Sequence, residues 1–213
     1  MFDILKFFKK EKPTEEDILT KFITPTDSVL VVGPYDEYGT ESSIPILLKK
    51  IKNKKLTIIG VQGDDVKSPY PRGGGDLIAT RDTIKKVSVD PIKYVFSDAL
   101  LLSFKEETFD VIVDRITHQF ILSYNTKGEP FNQEFLDKLI FEYNRTLKKN
   151  GRLIFFSTYS YPINAIKAIK KGLKMWGYKL THGRLKRLWG IKIEEHEIYQ
   201  KWHPDYYIVG IKT

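Results

Sequence analysis

The chain has 213 residues, 41% of them hydrophobic and 29% charged, which is typical of one soluble globular domain with a full core. It has no cysteine, so disulfides and thiolate metal sites are excluded and a reducing, cytoplasmic setting is favoured. No apolar run approaches the roughly 20 residues that a membrane-spanning helix needs. A composition rich in Lys, Glu and Ile also suits a thermophile.

Residues 1–26 are predicted to form a helical extension in front of one domain, residues 27–213. Phe2, Leu5 and Phe8 recur at helical spacing, which predicts a helix that docks on the domain. A basic helix lying on a membrane surface is the alternative. The opening stretch lacks a leading basic region and a small-residue cleavage site, so it does not have the pattern of a signal peptide.

Five predicted strands alternate with predicted helices. The strands are 28–33, 54–62, 92–96, 109–114 and 152–160, and the helices are 41–52, 76–87, 132–149 and 163–176. The strands read as continuous apolar runs, which indicates a parallel sheet with both faces covered. Asn150 and Gly151 are predicted to end the helix 132–149 with a left-handed C-cap. Residues 190–199 and 205–213 have strand composition and a short link, which favours an antiparallel pair.

The turn after the first strand, VLVVGPYDEYGT at residues 29–40, has the strand–turn–helix pattern that presents backbone N–H groups to a ligand. Asp36, Glu37 and Glu41 stand in or beside this turn. A dinucleotide would place its pyrophosphate there, and a like-charge pair at about 4 Å costs on the order of 1–4 kcal/mol. The acids therefore favour a cationic, phosphate-free ligand. The alternative is that they lie near a helix N-terminus, where the macrodipole stabilises them.

Three passages resemble the class I S-adenosylmethionine-dependent methyltransferases. VLVVG matches the family's first strand and turn, and LKKNGRLIF is similar to its L-K-P-G-G-x-L passage. The most specific match is SDALLLSFKEETFDVIV at residues 97–113, which looks like the family's D-A-x-x-L-P-F-x-x-x-x-F-D-V-V. The resemblance covers roughly residues 27–213. It implies an α/β, three-layer Rossmann-like sandwich whose seven-stranded, mostly parallel sheet has the order 3-2-1-4-5-7-6, with the last strand antiparallel.

The resemblance implies that S-adenosylmethionine is the cofactor and that it binds beyond the ends of the first four strands. Asp98 stands where the family's acid meets the adenine amine, and Gln62 stands where the family commonly has the acid that binds the ribose. The implied cofactor-binding residues are Gly33, Pro34, Tyr35, Asp36, Gln62, Gly63, Asp98, Ala99, Asp114 and Arg115. The alternative for Asp98 is a turn residue that caps the next segment.

His118 follows the fourth strand, at the edge where open α/β sheets bind ligands, and is the candidate general base for an acceptor hydroxyl or amine. A structural histidine is the alternative. The YPRGGG stretch, residues 70–75, is either a mobile flap over the site or a surface loop. No cluster of His, Asp and Glu has the spacing of a metal site.

The net charge of +8 is concentrated in residues 164–193, which have nine basic residues and no acid, while the rest of the chain has 26 basic and 27 acidic residues. The candidate RNA contacts in or beside this run are Lys167, Lys170, Lys171, Lys174, Arg184, Lys186 and Arg187. Clustered lysine and arginine bind phosphates, and Trp176, Tyr178 and Trp189 are predicted to stack on bases. A solvated helix face is the alternative.

Three functions remain open at this stage. The first is methyl transfer to a small-molecule acceptor, because the passage at residues 97–113 fits that branch of the family best. The second is methyl transfer to RNA through the basic segment. The third is a methyltransferase-like interaction module without activity, because the first turn is altered and Gln62 replaces an acid.

Overall fold

The computed structural model describes residues 12–32, 46–61, 93–115, 133–157, 163–186 and 206–213. Within these ranges, seven strands form one sheet in the order β3-β2-β1-β4-β5-β7-β6. The strands are β1 (Val29–Val32), β2 (Leu56–Val61), β3 (Lys93–Ser97), β4 (Phe109–Arg115), β5 (Leu147–Ser157), β6 (Tyr178–Arg184) and β7 (Tyr206–Lys212). β1 to β5 pair in parallel, and β7 runs antiparallel to both of its neighbours. The α/β, Rossmann-like class predicted from the sequence is confirmed.

The sheet is covered on both faces, which explains why its central strands are apolar without alternation. All four residues of β1 are fully buried, and they contribute alternately to two separate cores. α1 (Glu15–Phe22) and a π turn at Ile46–Lys50 cover one face, while α2 (Gln133–Thr146) and α3 (Ile163–Met175) cover the other. Side chains of a strand point to opposite faces in turn, so a strand between two helical layers needs apolar residues at every position.

α1 begins at a capping box and packs against the sheet. The Thr14 hydroxyl accepts the Asp17 N–H at 3.1 Å, and the Asp17 carboxylate accepts the Thr14 N–H at 2.8 Å. Ile18 and Leu19 are buried in the core that contains Val29 and Val31. The helix therefore shares a core with the first strand.

The described part of the predicted helix 41–52 is a π turn and not an α-helix. The Ile51 N–H donates to the Ile46 carbonyl, five residues back, at 3.1 Å, and Lys52 has a positive φ of 55°. The wider turn allows Leu47, Leu48 and Ile51 all to be buried. Residues 41–45 lie outside the described ranges, as do the predicted irregular stretch 63–75 and helix 76–87.

α2 ends at Thr146, so the predicted extension to residue 149 and the C-cap at Asn150 and Gly151 are wrong. The chain enters β5 at Leu147, which pairs with Phe109, and the register then shifts so that Val111 pairs with Arg152. Asn150, with a φ of 62°, lies in this irregularity. The end of α2 is capped from a distant strand, because Lys212 Nζ donates to the carbonyls of residues 144 and 147 at 2.8 and 2.7 Å.

The shifted segment leaves no space for a side chain at position 151, and a glycine therefore occurs there. A Cβ at this position would lie 2.6 Å from Leu147 Cγ and 2.8 Å from the Lys148 carbonyl oxygen. The glycine predicted as a helix terminator thus permits a close approach within β5.

The antiparallel partner of β7 is Tyr178–Arg184, so the predicted pairing of residues 190–199 with 205–213 is wrong. β5 and β6 occupy both edges of β7, and residues 190–199 lie outside the described ranges. β6 was missed because its exposed positions carry basic and polar residues that continue the pattern of α3.

At the amino ends of the strands, Asp110 joins three elements. Its Oδ2 accepts the Ser28 N–H at 2.8 Å and the Ser28 hydroxyl at 2.7 Å, and its carboxylate accepts Lys148 Nζ at 2.9 and 3.0 Å. Partial burial acts to raise the pKa of Asp110, but the hydrogen bonds from Ser28 and Lys148 outweigh it and hold the pKa below its ordinary value. The ionised form therefore stabilises the start of β1 and β4.

Asp110→Asn is expected to lower the free energy of unfolding at pH 7 by roughly 1.5–3 kcal/mol, because charge-assisted bonds are lost. A folded-state pKa below the unfolded value gives stability that is present above about pH 4 and lost as pH falls through the folded pKa. Urea unfolding from pH 7 to pH 2.5 should show the difference between wild type and variant shrinking below pH 4. If the free energies of unfolding of wild type and Asp110→Asn differ by the same amount over this pH range, the lowered pKa of Asp110 is contradicted.

Candidate functional site

The carboxyl ends of β1 to β5 meet at one edge of the sheet, because these strands run parallel. Four predicted cofactor-binding residues lie in the described part of this edge: Asp98, Ala99, Asp114 and Arg115. The other predicted site residues lie outside the described ranges, and they are Gly33, Pro34, Tyr35, Asp36, Gln62, Gly63 and His118. Their roles stay predictions.

Asp98 forms a tight turn directly after β3. Its Oδ1 accepts the Leu100 N–H at 2.8 Å, and its carbonyl oxygen accepts the Leu101 N–H at 3.1 Å. Its side chain is exposed, whereas Ala99 beside it is fully buried in the core. The carboxylate therefore caps the turn, as the alternative interpretation predicts, and still faces solvent. Its binding to a cofactor amine stays a prediction.

Asp114 and Arg115 are the last two residues of β4, which extends one residue beyond the predicted strand 109–114. Asp114 is fully buried, and its Oδ2 accepts the Tyr143 hydroxyl at 2.9 Å. Burial raises the pKa of Tyr143 well above its ordinary value, and the adjacent Asp114 charge and hydrogen bond raise it further. The tyrosine therefore remains a proton donor that holds this carboxylate inside the core. Only the backbone of Arg115 is described.

Glu142 and Arg145 of α2 hold the segment that follows Asp98, and the sequence analysis missed both. Glu142 Oε2 accepts the Leu102 N–H at 2.9 Å and Arg145 Nη2 at 2.7 Å. Arg145 also donates to the carbonyl oxygens of Leu102 and Phe104, each at 2.7 Å. The Glu142 side chain is only 7% exposed, so the pair is largely removed from water. Three of these bonds attach residues 102 and 104 to the helix, and the fourth joins Glu142 to Arg145 within it.

One signal in the sequence could have identified this clamp. Glu142 stands three residues after Leu139 and one before Tyr143, within the apolar stripe of α2. A charged residue on a buried face requires a partner, and Arg145 is the nearest cation along the helix. The contact of Glu142 and Arg145 with the 98–104 segment could not be predicted, because that segment is about 40 residues away in the sequence.

The basic segment is divided between two elements. Lys167, Lys170, Lys171 and Lys174 lie on α3, Arg184 ends β6, and Lys186 follows it, while Arg187 lies outside the described ranges. Trp176 is 41% exposed, but Tyr178 is 4% exposed and its hydroxyl donates to Asn144 Oδ1 at 3.2 Å. The prediction that Tyr178 stacks on bases is wrong, because its ring belongs to the core. Trp189 lies outside the described ranges.

The described residues offer neither a membrane-spanning helix nor a metal site. No helix among them is long and apolar enough to cross a membrane. No group of three or more His, Asp and Glu side chains in these ranges is placed to hold a metal ion.

Arg145→Met is expected to lower the free energy of unfolding by about 3 kcal/mol, because it leaves the buried Glu142 charge without its partner. Adding Glu142→Gln should recover part of this loss, since the amide can still accept from Leu102 without a charge. Lys138→Met is the matched control: Lys138 pairs with Glu134 at 2.7 Å, but both side chains are more than half exposed. For Lys138→Met, urea unfolding should show a change in the free energy of unfolding below about 0.5 kcal/mol. Equal effects of the two Met substitutions would rule out the clamp.

Tyr143→Phe is expected to lower the free energy of unfolding by roughly 1.5–3 kcal/mol, because a buried carboxylate loses a donor. Tyr178→Phe removes a hydroxyl whose acceptor is a neutral amide, and about 0.5–1.5 kcal/mol is expected. Both variants lose one oxygen atom, so urea unfolding compares the acceptors directly. A larger loss at Tyr178 would show that the Asp114 bond does not stabilise the edge.

Comparison with known proteins gives the fold but no sequence family. No protein-family model matches the chain, and no curated protein sequence matches it. A methyltransferase structure from Pyrococcus furiosus superposes with a TM-score of 0.61 at 18% identity, covering 91% of this chain and 79% of that one. The N-methyltransferase NodS from Bradyrhizobium japonicum gives a TM-score of 0.53 at 16% identity, covering 91% and 89%.

A third solved structure was determined with ligands. Geranyl diphosphate C-methyltransferase from Streptomyces coelicolor, in complex with Mg²⁺, geranyl diphosphate and S-adenosyl-L-homocysteine, gives a TM-score of 0.58 at 12% identity. The match covers 93% of this chain and 78% of that one. At these identities the likeness shows the fold alone. The chain has the α/β fold of S-adenosylmethionine-dependent methyltransferases.

Proposed function

We propose that this protein is a methyltransferase that uses S-adenosylmethionine to methylate a small-molecule acceptor. The observation that carries the proposal is the sheet itself, in which the antiparallel β7 lies between β5 and β6 and five parallel strands end at one edge. The solved structures compared above include a methyltransferase, an N-methyltransferase and a geranyl diphosphate C-methyltransferase.

The chemistry of the donor set at this edge fits the cofactor. Asp98 presents an exposed carboxylate whose Oδ1 is engaged by Leu100, so Oδ2 is the oxygen proposed to accept the adenine amine. Asp36 and Glu37 follow β1 in the sequence, where negative charge suits a sulfonium and an ammonium and opposes a pyrophosphate. Gln62 and Gly63 are proposed to meet the ribose. The remaining proposed contacts are Gly33, Pro34, Tyr35, Ala99 and Arg115.

The cofactor would supply an electrophilic methyl group, and the protein would position the acceptor. Alignment of the nucleophile with the bond that breaks contributes most of the rate in such a transfer. His118 is the proposed general base, which takes the proton that the acceptor hydroxyl or amine loses. Asp114 is proposed to act from within the core, by fixing the end of β4 from which the chain continues toward His118.

RNA is the alternative acceptor, and one observation favours it: four lysines of α3 share the solvent side of the helix. An inactive interaction module is the other alternative. Isothermal titration of the protein with S-adenosylhomocysteine separates the enzyme from the module, because the module gives no heat.

Asp98→Asn is expected to weaken S-adenosylhomocysteine binding by about 10- to 100-fold, because a hydrogen bond to a charged group is worth about 1.5–3 kcal/mol. The amide oxygen can still accept from Leu100, so the turn is kept while the charge is removed. Glu107→Gln is the matched control, because Glu107 is an exposed carboxylate next to the start of β4, at the opposite edge. Titration calorimetry should show that Glu107→Gln binds S-adenosylhomocysteine with wild-type affinity. Unchanged affinity for Asp98→Asn would remove Asp98 from the proposed site.

A further inference from the structure

Four consecutive N–H groups, those of residues 100–103, each have an acceptor within the protein. The first two donate to Asp98, one to its Oδ1 at 2.8 Å and the other to its carbonyl oxygen at 3.1 Å. The third donates to Glu142 Oε2 at 2.9 Å, and the fourth to the Ser97 hydroxyl at 3.4 Å. The protein itself therefore fixes the backbone of this turn, and the Asp98 carboxylate has a defined position on it.

Two apolar residues anchor the 98–104 segment in the core. Ala99 is fully buried and Leu102 is 3% exposed, and both belong to the core that contains Leu139 and Ile140 of α2. Burial of the anchors takes their backbone groups away from water, where an N–H or carbonyl group without a partner is costly. At the second anchor, the partners come from the side chains of α2.

Arg145 binds the carbonyl groups of the same segment. Its guanidinium donates to the carbonyl oxygens of Leu102 and Phe104, each at 2.7 Å, and to Glu142 Oε2 at 2.7 Å. Both the N–H and the carbonyl group of Leu102 are thus bonded to one turn of α2. A planar guanidinium has its donors in a fixed fork, which the single ammonium of a lysine does not reproduce.

The Glu142–Arg145 pair acts at a distance from the Asp98 carboxylate. Its bonds go to residues 102 and 104, four and six positions after Asp98. The Glu142 side chain is only 7% exposed, and both of its oxygens are used, Oε1 by Arg145 Nε at 3.2 Å and Oε2 by Arg145 Nη2 and the Leu102 N–H. The pair therefore affects a ligand of Asp98 only through the conformation of the segment.

We propose that Glu142 and Arg145 are positioning residues for S-adenosylmethionine, which hold the 98–104 segment so that the Asp98 carboxylate is preorganised for the cofactor. This role rests on the methyl-transfer proposal, because it requires that Asp98 bind the cofactor. The apparent affinity of a site falls in proportion to the fraction of molecules in the binding-competent conformation. Loosening the segment therefore weakens cofactor binding, although the pair itself binds only the protein.

The test is isothermal titration of the full chain with S-adenosylhomocysteine at pH 7. Arg145→Met removes the bonds to both carbonyl groups and should weaken binding about 10-fold, which corresponds to about one molecule in ten with an ordered segment. Arg145→Lys keeps a positive charge beside Glu142 but loses the planar fork. Its affinity should fall between those of wild type and Arg145→Met.

Asp110→Asn is the matched control, because it is expected to destabilise the protein to a similar degree at the opposite edge of the sheet. It should bind S-adenosylhomocysteine within about twofold of wild type, since distant sites are energetically independent. Circular dichroism and urea unfolding establish that each variant is folded at the temperature of the titration. A merely structural role of Arg145 predicts instead that the two substitutions affect the dissociation constant equally.

A double-mutant cycle with Asp98 gives a readout that global stability does not change. In the Asp98→Asn background the charged acceptor is already lost, so Arg145→Met should weaken binding further by at most about 3-fold. Amide hydrogen exchange of the ligand-free protein reports the local opening of the segment. Residues 100–103 should exchange faster in Arg145→Met than in wild type, and at the wild-type rate in Asp110→Asn.

The outcomes separate the positioning role from the methyl-transfer proposal. If wild type gives no heat with S-adenosylhomocysteine, the methyl-transfer proposal is overturned and the positioning role falls with it. If wild type binds and Arg145→Met binds equally well, the positioning role alone is overturned. Equal losses of affinity in Arg145→Met and Asp110→Asn, equal losses from Arg145→Met in both Asp98 backgrounds, or unchanged exchange at residues 100–103 would overturn it as well.

Discussion

The last turns of α2 are the constraint on which the rest of the carboxyl edge depends. Glu142 and Arg145 hold the backbone that follows Asp98, and Tyr143 between them holds Asp114 at the end of β4. Two predicted cofactor positions, one in the turn after β3 and one in β4, are thus held by one stretch of one helix. Because these polar groups are buried, each must keep its partner or bear the full cost of desolvation. This makes the arrangement specific: a shift of α2 would break all of these bonds together.

The two faces of the sheet differ in the polar groups that they contain. The face under α1 and the π turn is apolar and is closed at its rim by an ion pair, in which Arg152 Nη2 meets Asp27 Oδ1 at 2.8 Å. The face under α2 and α3 contains the buried polar network, and α3 carries Lys167, Lys170, Lys171 and Lys174 on its side away from the core. Acids in the sequence follow β1, while cations collect on α3.

Local sequence patterns predicted most of the helices and strands. They failed where a contact between residues distant in sequence sets the end or the pairing of an element. The continuous apolar runs correctly placed the core of β1, β2, β4 and β5, since only a strand covered on both faces needs such a composition. The end of α2 was predicted too late because Asn150 and Gly151 resemble a C-cap, whereas the true cap is Lys212 from the last strand. β6 was hidden because its exposed lysines and arginine read as a continuation of the basic helix.

The sequence by itself determined the α/β class, the position of the Asp98 turn after β3, and the concentration of positive charge in one segment. These follow from residue periodicity, turn chemistry and composition, which act over a few neighbours. Only the tertiary structure decided that Asp98 caps its own turn, that Asp114 is buried against Tyr143, and that Glu142 with Arg145 holds the segment between them. The contacts that hold Asp114 and the segment after Asp98 join residues 29 to 43 positions apart, as from Tyr143 to Asp114 and from Arg145 to Leu102. Their partners are chosen by the packing of α2 on the sheet, which no local pattern encodes.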